Sequence, residues 1–209
     1  LLDDRPQTEV MAMIPQFSQA ETDNFVAPPA KIPEALGVLM FNMERGVNLP
    51  EIQEFLRDCP DIQPFDVILA NELDDGCARS GNKNTARELA QAFGLNYAWG
   101  LEFIELVNDE NAKGFHGNAV FSRWPIRRAG VIRLPEQYNW YFDRQKRIGG
   151  RLAVFAELDV GGQPVGAVSI HLENRTHGEG RKAQMAAILE AVRKELPDMP
   201  LILGGDLNT

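Results

Sequence analysis

Cysteine is nearly absent from this chain: 209 residues hold two, Cys59 and Cys77. Two thiols cannot build the disulfide framework of a small secreted scaffold, and neither stands in a C-x-x-C metal pair. They read as free thiols, which leaves the compartment open: cytoplasmic, or secreted with the signal removed. Long apolar runs are missing as well. No stretch approaches the ~20 residues that cross a bilayer as a helix, so no membrane span is expected. Positive charge is in short supply, since 21 Lys and Arg face 30 Asp and Glu for a formal net charge of −9. Such a surface repels polyphosphate, because affinity for nucleic acid rests on Lys and Arg displacing counterions. That argues against a protein that coats nucleic acid. It does not exclude a nucleic acid substrate, because a bound cation and a local basic stretch can invert the field in one cleft.

What is present is ordinary globular composition, 44% hydrophobic and 24% charged, at a length that fits one domain with a sizeable core. The chain opens on Leu1 rather than Met, so a processed or trimmed start is expected. Residues 1–35 are polar and carry Pro28, Pro29 and Pro33, and they read as an irregular lead-in to a domain over 36–209. Continuous apolar runs at 36–41, 66–70 and 201–203 have the pattern of strands buried on both faces. Further strands are expected over 97–106, 117–122 and 131–134, with a hairpin of 151–160 and 164–171 turning at Gly161-Gly162. Helical spacing marks 51–59, 84–93 (with Gly94 as its stop) and 180–195. Crossover helices and hairpins alternate along the chain. The predicted fold is therefore α/β with mixed sheets rather than a purely parallel one.

Polar residues recur where these buried strands end. Asn42 follows Phe41, Glu72 follows the 66–70 run, His171 closes the 164–170 run, and Asp206 and Asn208 follow 201–203. A pocket beyond strand ends is the usual ligand site of α/β sheets. Carboxylates gathered there repel one another unless a cation joins them, and hard oxygen ligands suit Mg²⁺ or Mn²⁺. Taken singly, each of these residues also suits a turn or a helix cap.

The local words Phe41-Asn42-Met43, Asn71-Glu72-Leu73-Asp74, Gly117-Asn118-Ala119-Val120-Phe121-Ser122-Arg123, Ser169-Ile170-His171-Leu172 and Gly205-Asp206-Leu207-Asn208 occur in that order. In order and rough spacing they resemble the endonuclease/exonuclease/phosphatase superfamily, which includes DNase I-like nucleases, abasic-site endonucleases, sphingomyelinases and inositol polyphosphate 5-phosphatases. The resemblance implies a four-layer α/β/β/α sandwich of two mixed sheets flanked by helices. It also implies a Mg²⁺- or Mn²⁺-dependent phosphoesterase in which water attacks phosphorus, or else a non-catalytic member that binds a phosphate ligand or a protein.

By the same resemblance, Glu72 is the principal metal ligand and Asn42 helps to fix the metal. Asp206 positions or deprotonates water, Asn208 holds the scissile phosphate, and His171 lies near the phosphate or leaving group. Asn118 is expected to support the site by hydrogen bonding, or merely to brace its strand. Asp74, two residues from Glu72, would share its face if strand geometry continues, or else belong to a turn. His116 and His177 read as surface histidines, and Arg175 and Arg181 as a solvated loop and helix start. Trp140, Tyr141 and the basic residues 144–151 suggest a rim for bases or lipid head groups, or an ordinary surface loop. The substrate would be a phosphate ester of nucleic acid, lipid head group or small molecule. Members of the superfamily carry a late Asp-His pair that does not occur before Thr209, so a C-terminal part is expected to be missing.

Overall fold

Apolar runs punctuated by turn residues divide the chain into four helices and ten strands over residues 7–209, the part that the computed structural model describes. In chain order they are helix α1 (Gln7–Ala12), strands β1 (Ala20–Asp23) and β2 (Val38–Arg45), and helix α2 (Leu49–Asp58). Next come β3 (Val67–Asp75), α3 (Thr85–Phe93), β4 (Asn96–Glu105), β5 (Phe115–Ser122), β6 (Ile126–Arg133) and β7 (Arg147–Gly149). The hairpin β8 (Leu152–Val160) and β9 (Gln163–His171), helix α4 (Gly178–Glu195) and strand β10 (Leu201–Asp206) complete the set. Helix α3 shows why the punctuation works. The Asn84 side chain accepts from the Arg87 N–H at the helix start, and Gly94, left-handed at φ 59°, ends it.

The strands form two mixed sheets. The first runs β1-β4-β5-β3-β2, with β7 added to β4, and the second runs β10-β9-β8-β6. Each sheet holds one parallel pair, β2 with β3 and β9 with β10, and the other pairings are antiparallel. Parallel neighbours need a crossover, and α2 and α4 supply one each.

Alternation along the strands then sorts side chains into three cores. Val67 and Leu69 of β3, Val120 of β5, and Val154 and Ala156 of β8 fill the space between the sheets. Ile68 and Ala70 point the other way, into a core with Leu56 of α2 and Leu89 of α3. Phe155, Val168 and Ile170 pack under Ile188 and Val192 of α4. Three cores separate four layers, α/β/β/α, as the resemblance implied. Among the described residues no helix is long and apolar enough to cross a membrane.

The lead-in expected to be irregular is structured over much of residues 7–23, and residues 1–6 lie outside the described part. Strand β1 pairs antiparallel with β4 and forms one edge of the first sheet. Its sequence, Ala-Glu-Thr-Asp, carries no apolar alternation that would announce a strand. It is held by its ladder and by Glu21, which accepts hydrogen bonds from the Tyr97 hydroxyl, Asn84 Nδ2 (3.2 Å) and Arg87 Nη2 (3.3 Å).

Gly117 shows how tightly β4 and β5 approach. A Cβ there would lie 2.0 Å from the Gly100 carbonyl oxygen and 2.7 Å from the Trp99 ring. Backbone cannot yield as a flexible side chain does, so Gly117→Ala is expected to cost about 1–3 kcal/mol. Urea unfolding checks this, and a loss of only a few tenths would mean that the strands part at no cost.

Candidate active site

The middle of β3 lies against the ends of β9 and β10, and a buried asparagine of β3 ties the three together. Asn71 Oδ1 accepts from the Asp206 backbone N–H (2.8 Å), and its Nδ2 donates to the Ile170 carbonyl (2.9 Å). Asn118, fully buried on β5, lies beside it, with Asn71 Nδ2 3.3 Å from Asn118 Oδ1. The same Asn118 oxygen accepts from the Glu72 N–H at 3.1 Å. That bond matters because Glu72 sits in the left-handed region at φ 58°, where the β3–β5 register slips between Ala70 and Leu73. A non-glycine residue held there costs about 1–3 kcal/mol unless its surroundings impose the conformation.

Five of the expected site residues come together. Asn42 Nδ2 donates to Asp206 Oδ2 at 3.0 Å. His171 Nε2 lies 3.9 Å from that Asp206 oxygen and 4.0 Å from Glu72 Oε1. Asn208 donates its backbone N–H to Asp206 Oδ1 (3.0 Å) and its side-chain amide to the Leu172 carbonyl (2.9 Å). Asn118 supports the group from behind. Asp74 does not join it. The left-handed turn at Glu72 breaks the alternation, and Asp74 points into a buried cluster behind the site, with Arg79 (2.7 Å), His116 (2.8 Å) and Ser80 (3.2 Å). His116, expected on the surface, is thus buried.

Behind His171 lies a carboxylate that the sequence reading passed over. Glu102, fully buried on β4, sits 3.2 Å from His171 Nδ1 and 3.1 Å from Arg151 Nη1. Burial alone would raise its pKa, but the charges and hydrogen bonds of His171 and Arg151, with His116, hold it well below the usual carboxylate range. An ionised Glu102 at Nδ1 favours the tautomer with its proton there, which turns Nε2 toward Glu72 and Asp206. Arg151 Nη1 is 3.0 and 2.9 Å from the two ring nitrogens of His171, so it flanks the ring rather than serving either one in line. A lone glutamate inside the apolar run Trp99–Ile104 was the available signal, because a buried charge demands partners.

The donor set has a definite character. Among the described residues no three His, Cys, Asp or Glu side chains form a metal cage. The converging groups are two partly exposed carboxylates, Glu72 and Asp206, with the Asn42 amide between strand ends. That set fits an ion which takes one or two protein oxygens and keeps water, as Mg²⁺ and Mn²⁺ do, and does not fit a zinc cage.

Beside Glu72 opens a cavity of about 400 Å³, lined by Trp140 and by Arg45, Arg144, Arg147, Arg151 and Arg175 among others. Trp140 is no stacking rim. It is 4% exposed, donates to Glu173 (2.9 Å), and lies under the guanidinium groups of Arg147, Arg151 and Arg175.

A model of the Endonuclease/Exonuclease/phosphatase family matches residues 41–209. Among solved structures, the chain is similar to an endonuclease/exonuclease/phosphatase from Beutenbergia cavernae DSM 12333, with TM-score 0.60 and 23% identity over 82% of this chain and 47% of that one. It is also similar to the human Nocturnin catalytic domain with bound sulfate anion (TM-score 0.57, 20% identity, 93% of this chain, 69% of that one). A third is D. rerio TDP2 complexed with single strand DNA product (TM-score 0.53, 19% identity, 85% and 62%). The chain thus spans less than two thirds of the first and third of these. Identities this low show a shared fold. No curated protein matches the chain.

The Asp74 cluster yields a pH prediction. Burial alone would raise the Asp74 pKa, but hydrogen bonds from Arg79 and His116, and their charges, lower it to about 2. The unfolded value is about 3.9. With the folded value depressed, the stabilisation is fully present above about pH 4 and is lost as pH falls toward 2. Asp74→Asn is therefore expected to cost about 3 kcal/mol at neutral pH, with the gap from wild type closing below about pH 4. Denaturant titrations across that range test it, and a gap that stays constant would show that the ionised carboxylate is not the source.

Proposed function

The chain belongs to the endonuclease/exonuclease/phosphatase family, and from that premise we propose that it hydrolyses a phosphodiester by attack of water on phosphorus, with Mg²⁺ or Mn²⁺ held at Glu72 and Asn42. The observation that carries this reading is the convergence of Glu72, Asp206 and His171 Nε2 within 4.0 Å, with Asn42 bonded to Asp206. Members of the family are hydrolases of phosphoesters, and the two DNA- and sulfate-bound relatives support an anionic ester as substrate.

A divalent cation, when bound, neutralises charge on the phosphate oxygens and polarises the phosphorus for attack. Everything else falls to the chain. Asp206, steadied by the Asn42 amide and by the Asn208 N–H, aligns the attacking water and accepts its proton. His171, fixed by Glu102 on one nitrogen, presents the other to the phosphate as a hydrogen-bond donor once protonated. Asn208 sits beside Asp206, where its amide can hold a phosphate oxygen if it exchanges the Leu172 carbonyl for substrate. Phosphoryl transfer asks mainly for positioning and charge stabilisation, and these groups supply both. The reading names a phosphate ester and leaves open whether nucleic acid, lipid head group or small molecule carries it.

The test uses bis(p-nitrophenyl) phosphate with added Mg²⁺ or Mn²⁺. Turnover is expected to require the metal and to disappear with a chelator. Glu72→Gln and Asp206→Asn are each expected to lower kcat/KM by about 10²-fold or more while circular dichroism stays unchanged. Mn²⁺ binding followed by electron paramagnetic resonance should weaken in Glu72→Gln. A folded wild type that binds Mn²⁺ no better than the variant, and cleaves neither diesters nor monoesters, would sink the proposal.

A further inference from the structure

We propose that the arginine-walled cavity beside Glu72 is a subsite for a second, non-scissile phosphate, so that the preferred substrate carries at least two phosphate groups. The inference rests on the reading of Glu72, Asp206 and His171 as the place where the scissile phosphate sits. The cavity is continuous with that place because Glu72 lines both.

The charge distribution is the first argument. The chain has nine more acidic than basic residues, yet five of its 21 Lys and Arg line this one cavity. Two of the five are accounted for within the fold. Arg151 is paired with Glu102 (3.1 Å) and Glu173 (3.4 Å), and Arg147 Nε lies 2.9 Å from Glu105. The other three are held more loosely. Arg45 reaches Glu72 only at 4.0 Å, and its Nε is shielded from solvent with no hydrogen-bond partner. Arg175 reaches Asp143 only at 3.9 Å and keeps over half its side chain exposed. Arg144 has no carboxylate within ion-pair distance among the described residues.

Five arginines outnumber the two carboxylates, Glu72 and Asp143, that line the same cavity, so the excess positive charge there repels itself. An anion with several acceptor oxygens relieves the repulsion, and arginine donors pair with phosphate in a bidentate fork. The volume, about 400 Å³, suits a small phosphorylated group. Selectivity by stacking on Trp140 is closed off, since its ring is already covered by arginines. Recognition here is therefore of charge.

The experiment measures binding by calorimetry in the presence of a chelator, so it does not depend on turnover. Two pairs of probes are compared: thymidine 3′,5′-bisphosphate against thymidine 5′-phosphate, and inositol 1,4-bisphosphate against inositol 1-phosphate. In at least one pair the bisphosphate is expected to bind about tenfold tighter or more, and the pair with the larger ratio names a nucleoside or an inositol scaffold. In the double variant Arg144→Ala/Arg175→Ala that ratio should fall toward one. Arg193→Ala removes a positive charge from the last turn of α4, outside the cavity lining, and should leave the ratio intact. Ratios near one in both wild-type pairs, or a ratio that survives the double variant, overturn the subsite. A tenfold ratio in a protein that cleaves no ester would keep the subsite and sink the hydrolase reading instead.

Discussion

The side chain of Asn71 is the point on which the arrangement turns. It is buried between two sheets whose shared core is largely apolar. Apolar contact is non-directional and tolerates small slides of one sheet over the other. An amide that bonds the Asp206 N–H, bonds the Ile170 carbonyl and lies against Asn118 tolerates none, because each slip leaves a buried donor or acceptor unpaired. Each bond adds only about 1 kcal/mol net, but breaking one costs more than that. Through this one residue the middle of β3 and the ends of β9 and β10 are fixed relative to each other, and with them Glu72, His171 and Asp206.

The layers were legible in the sequence because their cause is repetitive. The continuous apolar run of β3 announces a buried strand, the helical spacing of α2 to α4 states which face is buried, and many residues repeat the statement. The site was legible only in part. Asn42, Glu72, His171, Asp206 and Asn208 each stand at or just beyond the end of an apolar run in the sequence, so position along the chain announces them. Asp74 leaves the face of Glu72 because a spacing of two implies one face only while the backbone stays extended, and Glu72 is left-handed. Glu102 was passed over because it does not stand at a strand end, and Arg151 was read only as part of the basic stretch 144–151. Their role comes from meeting each other across two sheets, 49 residues apart, which no local pattern records. Strand β1 escaped for the opposite reason, since an edge strand held by its ladder needs no apolar signature.

Behind Glu72 and Asp206 lies a connected set of buried charges: Asp74 with Arg79 and His116, then Glu102 with Arg151 and His171, then Glu173 with Trp140. Buried ion pairs are poor sources of stability, because desolvation offsets most of their attraction. What they provide here is orientation. His171 can turn neither ring face without losing Glu102 or meeting Arg151. The price is a core with many charged groups, each dependent on its neighbour.

Glu72 stands in a backbone conformation that favours glycine, in the middle of a strand. Glycine would relax the left-handed strain there, and it would also delete the carboxylate around which the site is arranged. Fitness of the fold and fitness of the site therefore pull in opposite directions at this one position. A lineage or a library selected for stability alone should drift toward glycine at residue 72, and would arrive at a sturdier protein without that carboxylate.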